Sequence, residues 1–263
     1  MSEDGAALLC LDLGWAPSTR SCTAAALLTR SGRIRVARLS SHDDAELVAC
    51  LADLLEPRGL ILLDIPIEGC TELRPGGPAI RAVDRRLARA GIPVLPSVKA
   101  GLRGHQLKWA IQARAPDVTI QETYPFAVLR VLWALHVQGR LGAVKTREQG
   151  PLLSEKIWRR WPPRYKRAPA RSERLDALKE IFGLLIHPDL GLAFDPPLPS
   201  PSAGLSSSAI AQLSDCYDAC LGLMPGLLGP HHPLVATVAD PGGGSLLLLA
   251  DSWLRARLRV PML

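Results

Sequence analysis

Short apolar runs separated by polar turns predict a series of strands in the first part of the chain. Residues 7–14 (ALLCLDLG) form an apolar run with a single carboxylate, as expected of a buried strand. Residues 22–29 and 33–40 flank the turn 30–32, and the second run alternates basic and apolar residues, so the two runs predict a hairpin. The apolar run 60–66 (LILLDIP) predicts a further buried strand that a proline ends.

Between the hairpin and this last strand, the apolar residues take helical spacing. Ser40 or Ser41 caps the predicted helix, acidic residues fill its first turn, and leucines recur as far as Leu55. The order strand, strand, strand, helix, strand favours an α/β fold with a mixed sheet of the RNase H type, in which three antiparallel strands precede parallel ones and helices cover both faces. A doubly wound sheet would instead place a helix and a GxGxxG motif directly after Asp12.

The later part of the chain continues the alternation of strands and helices. Residues 117–125 (DVTIQETYP) predict another strand that meets a proline, and an apolar helix follows to about His136. A helix is predicted over 172–186, and a proline-rich linker separates it from a last long helix capped by residues 206–208. A weak strand is predicted near 246–250.

Positive charge is concentrated in one segment of this basic chain. The net charge is +6, and residues 140–179 hold 12 Lys and Arg against 4 acids, so the rest of the chain is slightly acidic. We expect a single domain over 1–263 with a basic helical insertion at about 126–200 that contacts nucleic acid. A solvated helix surface without a ligand is the alternative. The expected phosphate contacts are Arg159, Arg160, Lys166 and Arg167.

Carboxylates recur where apolar strands end. Asp12, Asp64 and Glu122 each lie at the end of a predicted strand, and Asp215 and Asp218 are spaced i,i+3 on one face of the last helix. Each alone is explained as a cap or a solvated group, but several buried carboxylates together are costly unless a cation binds them. Oxygen ligands without His or Cys favour Mg²⁺ or Mn²⁺, and two such ions support hydrolysis of a phosphodiester.

Other kinds of site have little support in the sequence. The six cysteines form no CxxC pair and are expected to be buried thiols, and the histidines have no ligand spacing. Asp84 is expected to pair with Arg81 or Arg85 rather than to act in catalysis. Because neither a signal peptide nor an apolar run of about 20 residues is present, we expect a cytoplasmic protein without membrane contact.

Several of these motifs together resemble a known family, the predicted RNase H-like nucleases of domain-of-unknown-function family 429. The resemblance runs through most of the chain, and two positions depart from it. Leu13 stands where a glycine is expected after the first aspartate, and LLLLADSWL replaces the usual closing Glu-Gly-Trp-Ile pattern. The matching motifs are Asp12 with Gly14-Trp15, LLDIPI (62–67), RAVDRRLARAG (81–91), QETYP (121–125), RYK (164–166) and DCYDA (215–219).

The resemblance implies an RNase H-type fold and a metal-dependent nuclease. It marks Asp12, Asp64, Glu122 and Asp218 as metal-binding residues, and Asp215 matches the upstream acid of the last motif, as in Holliday-junction resolvases of the same fold. In this hypothesis Asp12 bridges two metal ions, Asp64 and Asp218 complete the sites, and Glu122 or Asp215 binds the second ion or orients water. The first alternative is a catalytically inactive nucleic-acid-binding module of the same fold. The second is an actin-like ATP-binding protein, but the second glycine-rich loop of that class is absent from this sequence.

Overall fold

A mixed β-sheet with helices on both faces forms the centre of the molecule in a computed structural model of the chain. The structure describes residues 6–14, 23–39, 43–70, 80–94, 102–166, 168–241 and 244–261. Within these ranges no helix is long and apolar enough to cross a membrane.

The sheet contains seven strands in the described ranges, in the order β3-β2-β1-β4-β5-β7-β6. Strand β1 pairs antiparallel with β2, and β2 pairs antiparallel with β3. The pairs β1–β4, β4–β5 and β5–β7 are parallel, and β6 returns antiparallel along β7. The predicted antiparallel start followed by parallel strands is therefore confirmed. The strands are β1 (Ala6–Asp12), β2 (Thr23–Thr29), β3 (Ile34–Leu39), β4 (Leu55–Leu63), β5 (Thr119–Thr123), β6 (Val235–Ala239) and β7 (Ser245–Leu249).

The helices predicted before residue 55, after Pro125, over 172–186 and after residues 206–208 are present, and a helix near the end of the described chain was not predicted. That helix, α9, begins where the Asp251 side chain accepts a hydrogen bond from the Leu254 backbone N–H, a normal N-cap. Strand β6 was also not predicted. The helices are α1 (Asp44–Leu54), α2 (Ala82–Arg89), α3 (Arg103–Arg114), α4 (Pro125–His136), α5 (Ala143–Thr146), α6 (Glu155–Trp158), α7 (Arg171–Leu185), α8 (Ser207–Leu228) and α9 (Ser252–Leu258).

Two hydrophobic cores lie on opposite faces of the sheet. Because side chains alternate along a strand, Leu8 and Cys10 of β1 join the first core, with residues of α4, α7 and α8. Leu9 and Leu11 join the second core, with residues of α1 and α3. The two cores explain why β1 is apolar at nearly every position rather than at every second one.

Helix α8 approaches the first face of the sheet very closely because it presents glycines there. A Cβ atom at Gly222 would lie 2.5 Å from the Sγ of Cys10, and a Cβ atom at Gly226 would lie 2.5 Å from a methyl group of Leu8. The two glycines are four residues apart and so share one face of the helix. Side chains one turn earlier on this face are therefore carried close to the end of β1.

The basic segment, residues 140–179, is only partly helical, and side chains from it are buried in the first core. Helices α5 and α6 are single turns, and residues 159–166 and 168–170 are not helical. Pro162 and Pro163 explain this break, since proline lacks the N–H that a continuing helix needs. Trp158 and Tyr165 are buried in the first core, so the segment packs against the sheet layer.

The cysteines mostly follow the expectation of buried thiols. The buried ones are Cys10, Cys70, Cys216 and Cys220. Cys50 is exposed on α1, so the expectation was wrong for this residue. The sixth, Cys22, lies outside the described residues, as do Ser40 and Ser41, the two candidate caps of α1.

Candidate active site: four aspartates around one lysine

Asp12 and Asp64 end adjacent parallel strands and project from the same face of the sheet. Asp12 follows Cys10 by two residues, and Asp64 follows Leu62 by two residues; both preceding side chains lie in the first core, under α8. The backbone N–H of Asp64 donates to the carbonyl of Leu11 at 2.9 Å, which fixes the two strand ends side by side. Asp12 is buried, with 6% of its surface exposed.

Helix α8 supplies the other two carboxylates. Asp218 lies one turn before Gly222 on the helix face that contacts the sheet, and it is buried with 4% exposure. The side chain of Asp215, one turn earlier still, is 21% exposed. The start of the helix is fixed by Ser206, whose side chain accepts a hydrogen bond from the backbone N–H of Ala209.

The ammonium group of Lys166 lies among these carboxylates. Its Nζ is 3.5 Å from Oδ2 of Asp12 and 3.3 Å from Oδ1 of Asp215, and it also contacts Oδ2 of Asp218. The side chain of Lys166 is still 40% exposed, so the ammonium group reaches the cluster from the solvent side. From the sequence we expected Lys166 to contact phosphate; that contact stays a prediction, and the structure adds an ionic contact with three aspartates.

Tyr165 completes the cluster, a role that was not predicted from the sequence. Its hydroxyl donates to Oδ1 of Asp218 at 2.5 Å. Burial, followed by the charge of Asp218, raises the pKa of the Tyr165 hydroxyl, so it stays protonated and donates this bond at neutral pH. A tyrosine in a basic segment is usually read as a surface residue, and only the RYK motif of the family resemblance pointed to it.

The carboxylates are held in an environment that disfavours their charge. Burial, followed by the charge of Asp218, raises the pKa of Asp64 to about 7, although Lys166 opposes the shift. Burial also raises the pKa of Asp12 and of Asp215, again against the effect of Lys166. Burial alone would lower the pKa of Lys166, but the charges of Asp218 and the other acids raise it. One ammonium therefore partly offsets the charge of four acids.

The donor set suits a hard divalent cation, although the side chains are not yet arranged around one. Oδ2 of Asp12 is buried and has no hydrogen-bond partner among the residues the structure describes; its contact is the ionic one with Lys166. A buried carboxylate oxygen without a donor is costly and is relieved by a cation. Within the described ranges no group of three or more His, Cys, Asp or Glu side chains is arranged to hold a metal ion.

Glu122 lies at the same edge of the sheet but has a different partner. It follows Ile120 of the second core by two residues and accepts a hydrogen bond from the backbone N–H of Ile67 at 3.1 Å. Arg81 donates to both of its carboxylate oxygens, at 2.7 and 2.5 Å. Glu122 therefore does not share the contacts of Lys166, and its role as a metal ligand stays a prediction without a supporting contact.

The Arg81–Glu122 pair includes a second acid. Arg81 also donates to the carboxylate of Asp84 from Nε and Nη2, at 2.9 Å each. The prediction that Asp84 pairs with Arg81 or Arg85 is therefore confirmed for Arg81. Burial opposes the charge of Arg81, but the hydrogen bonds and charges of Glu122 and Asp84 more than offset it, and the pKa of Arg81 is raised.

A groove of about 510 Å³ opens beside the aspartate cluster. Asp64, Asp218 and Lys166 lie at one end of it, and Phe126 and Trp161 lie along its wall. Trp161 is 55% exposed, which is unusual for a side chain of this size. The groove therefore joins a charged end to an aromatic surface.

The remaining predicted phosphate contacts lie along the basic segment. Arg159 is exposed and its Nε is 3.3 Å from the carboxylate of Glu155, and Arg160 is also exposed. Arg167 lies outside the described residues. The two arginines directly after α6 are therefore exposed to solvent, as a contact with phosphate requires.

Comparisons with protein-family models, with curated proteins and with solved structures gave no match to this chain. The geometry of the aspartate cluster and of the adjoining groove is therefore the basis on which a function is proposed.

Proposed function

We propose that this protein is a metal-dependent nuclease with an RNase H-like fold. The strand order β3-β2-β1-β4-β5, with the first three strands antiparallel and the next ones parallel, supports the fold. The family resemblance of the motifs around Asp12, Asp64 and Asp218 supports the same assignment. Strands β6 and β7 extend this arrangement at one edge.

The observation that carries the proposal is the convergence of four aspartates from three elements, three of which contact the ammonium group of Lys166. Asp12 from β1, Asp64 after β4, and Asp215 and Asp218 from α8 are far apart in the chain, and folding brings them together in a largely buried position. Such a cluster costs folding free energy, because buried like charges repel one another. Binding of a divalent cation would offset this cost.

Asp12, Asp64 and Asp218 are the residues that would hold Mg²⁺ or Mn²⁺, and Asp215 would contact the ion directly or through water. A bound ion would polarise a phosphoryl oxygen and lower the pKa of a water molecule. The protein's own part is to fix the carboxylates on strand ends and on a helix that glycines hold against the sheet. Because the side chain of Lys166 is 40% exposed, its ammonium can turn from the acids toward a substrate phosphate.

The proposed substrate is a nucleic acid, since the charges around the cluster suit a polyanion. The segment 140–179 carries the positive excess of the chain, and exposed Arg159 and Arg160 lie within it. Arg164 and Lys166 line the groove that opens beside the aspartates. Contacts of this kind hold phosphates independently of sequence.

A cleavage panel tests the proposal. Single-stranded, duplex, hybrid and branched nucleic acids are incubated with the protein in Mg²⁺, Mn²⁺ or chelator. We expect metal-dependent cleavage that Asp218→Asn abolishes and Asp215→Asn reduces, because Asp215 is the more exposed acid. Asp176→Asn is the matched control, since this exposed helix residue pairs with its near neighbour Lys179, three residues later on the same helix. Cleavage that persists in chelator, or in Asp218→Asn, would contradict the proposal.

A metal-free nucleic-acid-binding module is the second candidate, and the position of Lys166 favours it. Its ammonium already contacts Asp12, Asp215 and Asp218, where a metal ion would otherwise offset their charge. The two candidates differ in thermal unfolding, because a ligand that binds only the folded state raises the apparent stability. No change in Tm at millimolar Mg²⁺ or Mn²⁺, together with retained nucleic-acid binding, would establish the binding module.

A further inference from the structure

The groove beside the aspartate cluster has a wall of aromatic side chains, and we propose that it binds one unpaired nucleobase, stacked on Trp161. The base would belong to the nucleotide next to the phosphate at the aspartates. The inference rests on the proposed function for the class of ligand and adds to it the requirement for an unpaired or flipped base.

Trp161 is held in place before any ligand arrives. The guanidinium of Arg130 lies 4.0 Å from the centre of the Trp161 ring and 4.3 Å from that of the buried Trp158 ring. Arg130 is itself buried and donates from Nη2 to the carbonyl of Trp158 at 2.7 Å. The cation–π contact fixes the ring of Trp161 while 55% of the residue stays exposed.

Other rigid groups continue the wall toward the aspartates. Phe126 lies 6.4 Å from Trp161 between ring centroids, and Tyr124 lies 6.3 Å from Phe126. The hydroxyl of Tyr124 donates to the carbonyl of Pro93 at 2.5 Å, so this ring is also fixed. Pro162 lines the groove as well, and its backbone torsion is restricted. Little conformational entropy is therefore lost when a flat ligand enters.

The combination of a charged end and an aromatic end favours a nucleotide as the occupant. Lys166 and Arg164 at the charged end suit a phosphate. The aromatic end offers ring faces, on which any base stacks without hydrogen-bond readout. The volume, about 510 Å³, lies in the range of small-molecule pockets.

Binding is measured by fluorescence anisotropy in chelator, so that cleavage does not interfere. The probes are a short single-stranded oligothymidylate, the same phosphate chain with abasic residues, and a duplex of equal length. We expect the oligothymidylate to bind more tightly than the abasic chain. Trp161→Ala should weaken binding of the oligothymidylate by about tenfold and leave the abasic chain unaffected.

Two further variants keep the test specific. Trp161→Phe retains a stacking face and should restore most of the affinity. Trp109→Ala is the matched control, because Trp109 on α3 is also an exposed tryptophan, with 63% exposure, but is not part of the groove. It should bind oligothymidylate as the unmodified protein does.

The outcomes separate this inference from the nuclease proposal. Equal binding of the abasic and base-containing chains, with no effect of Trp161→Ala, overturns the base site. This result does not bear on the nuclease proposal, which the cleavage panel tests separately. Base-dependent binding without metal-dependent cleavage supports the base site and contradicts the nuclease. Tight binding of the duplex without any dependence on Trp161, or no binding of any probe, also overturns the inference.

Discussion

Nζ of Lys166 lies 3.5 Å from Oδ2 of Asp12, and this contact joins the end of the first strand to an irregular segment much later in the chain. The same Asp12 oxygen has no hydrogen-bond partner among the described residues. Lys166 is thus the positive group that makes the metal-free cluster tolerable, and a bound metal ion would compete with it.

Replacing Lys166 should change stability in opposite directions with and without metal. In chelator, Lys166→Met should lower the free energy of unfolding by roughly 1–3 kcal/mol, less than the about 3–5 kcal/mol of a fully buried pair because its side chain is 40% exposed. The rise in Tm on adding Mg²⁺ should be larger than in the unmodified protein. Lys156→Met, on the exposed side of α6, is the control. An unchanged response to Mg²⁺ would show that Lys166 does not compete with metal.

The close packing of α8 on β1 should be sensitive to one methyl group. In Gly222→Ala the added Cβ would lie 2.5 Å from Sγ of Cys10 and 3.2 Å from a methyl carbon of Thr123, so the helix must move. We expect a loss of about 1–3 kcal/mol in urea unfolding, and a smaller Mg²⁺-induced rise in Tm because Asp218 moves with the helix.

Gly183→Ala provides the matched control for this substitution. Gly183 is a helical glycine on α7, and a Cβ there would meet no atom of the described residues within 4 Å. Since alanine has the higher helix propensity, this variant should be more stable by about 0.5–1 kcal/mol. Equal effects of the two substitutions would mean that α8 is not held by close approach to the sheet.

Removing Arg81 should leave two buried acids without their cation. Arg81→Met is expected to lower the free energy of unfolding by about 3–5 kcal/mol, because Glu122 and Asp84 lose a partner that is only 3% exposed. Adding Glu122→Gln should recover part of this loss. Glu122→Gln alone should leave the Mg²⁺-induced change in Tm unaltered. A clearly smaller change in Tm would instead support Glu122 as a metal ligand.

The pH dependence of stability should report the protonation of the aspartates. The pKa of Asp64 is raised to about 7 by burial and then by Asp218, whereas an aspartate in the unfolded chain titrates near 3.9. Between these values the folded state binds more protons, so the free energy of unfolding in chelator should rise as the pH falls from about 8.5 to about 6.5. Asp64→Asn should flatten the slope. Stability that falls over this window would contradict the prediction.

The window ends at about pH 6.5 because a histidine acts in the opposite direction below it. Burial lowers the pKa of His232, so its protonation at lower pH destabilises the folded state. Measurements confined to the higher range therefore reduce the histidine effect. Burial raises the pKa of Glu122 to about 7 as well, so it contributes in the same direction as the aspartates, and Asp64→Asn separates the two contributions.

Local pattern was enough to predict most of the elements. Apolar runs with one terminal carboxylate placed β1, β4 and β5, and the serines before residue 209 placed the start of α8. Strand β6 and helix α9 were missed because short elements near the end of the chain carry few periodic positions. The helical prediction for the basic segment was wrong over 159–166 and 168–170, where Pro162 and Pro163 stop the helix.

The sequence by itself determined that carboxylates stand at strand ends and on one face of the last long helix. Only the tertiary structure decided which of them meet. In strands buried on both faces, apolar residues occupy every position, so the sequence does not show to which side Asp12, Asp64 or Glu122 projects. Because α8 packs on one face of the sheet, its aspartates lie close to Asp12 and Asp64. Glu122 pairs with Arg81 instead. Lys166 joins the cluster through contacts between distant segments, which no local pattern encodes.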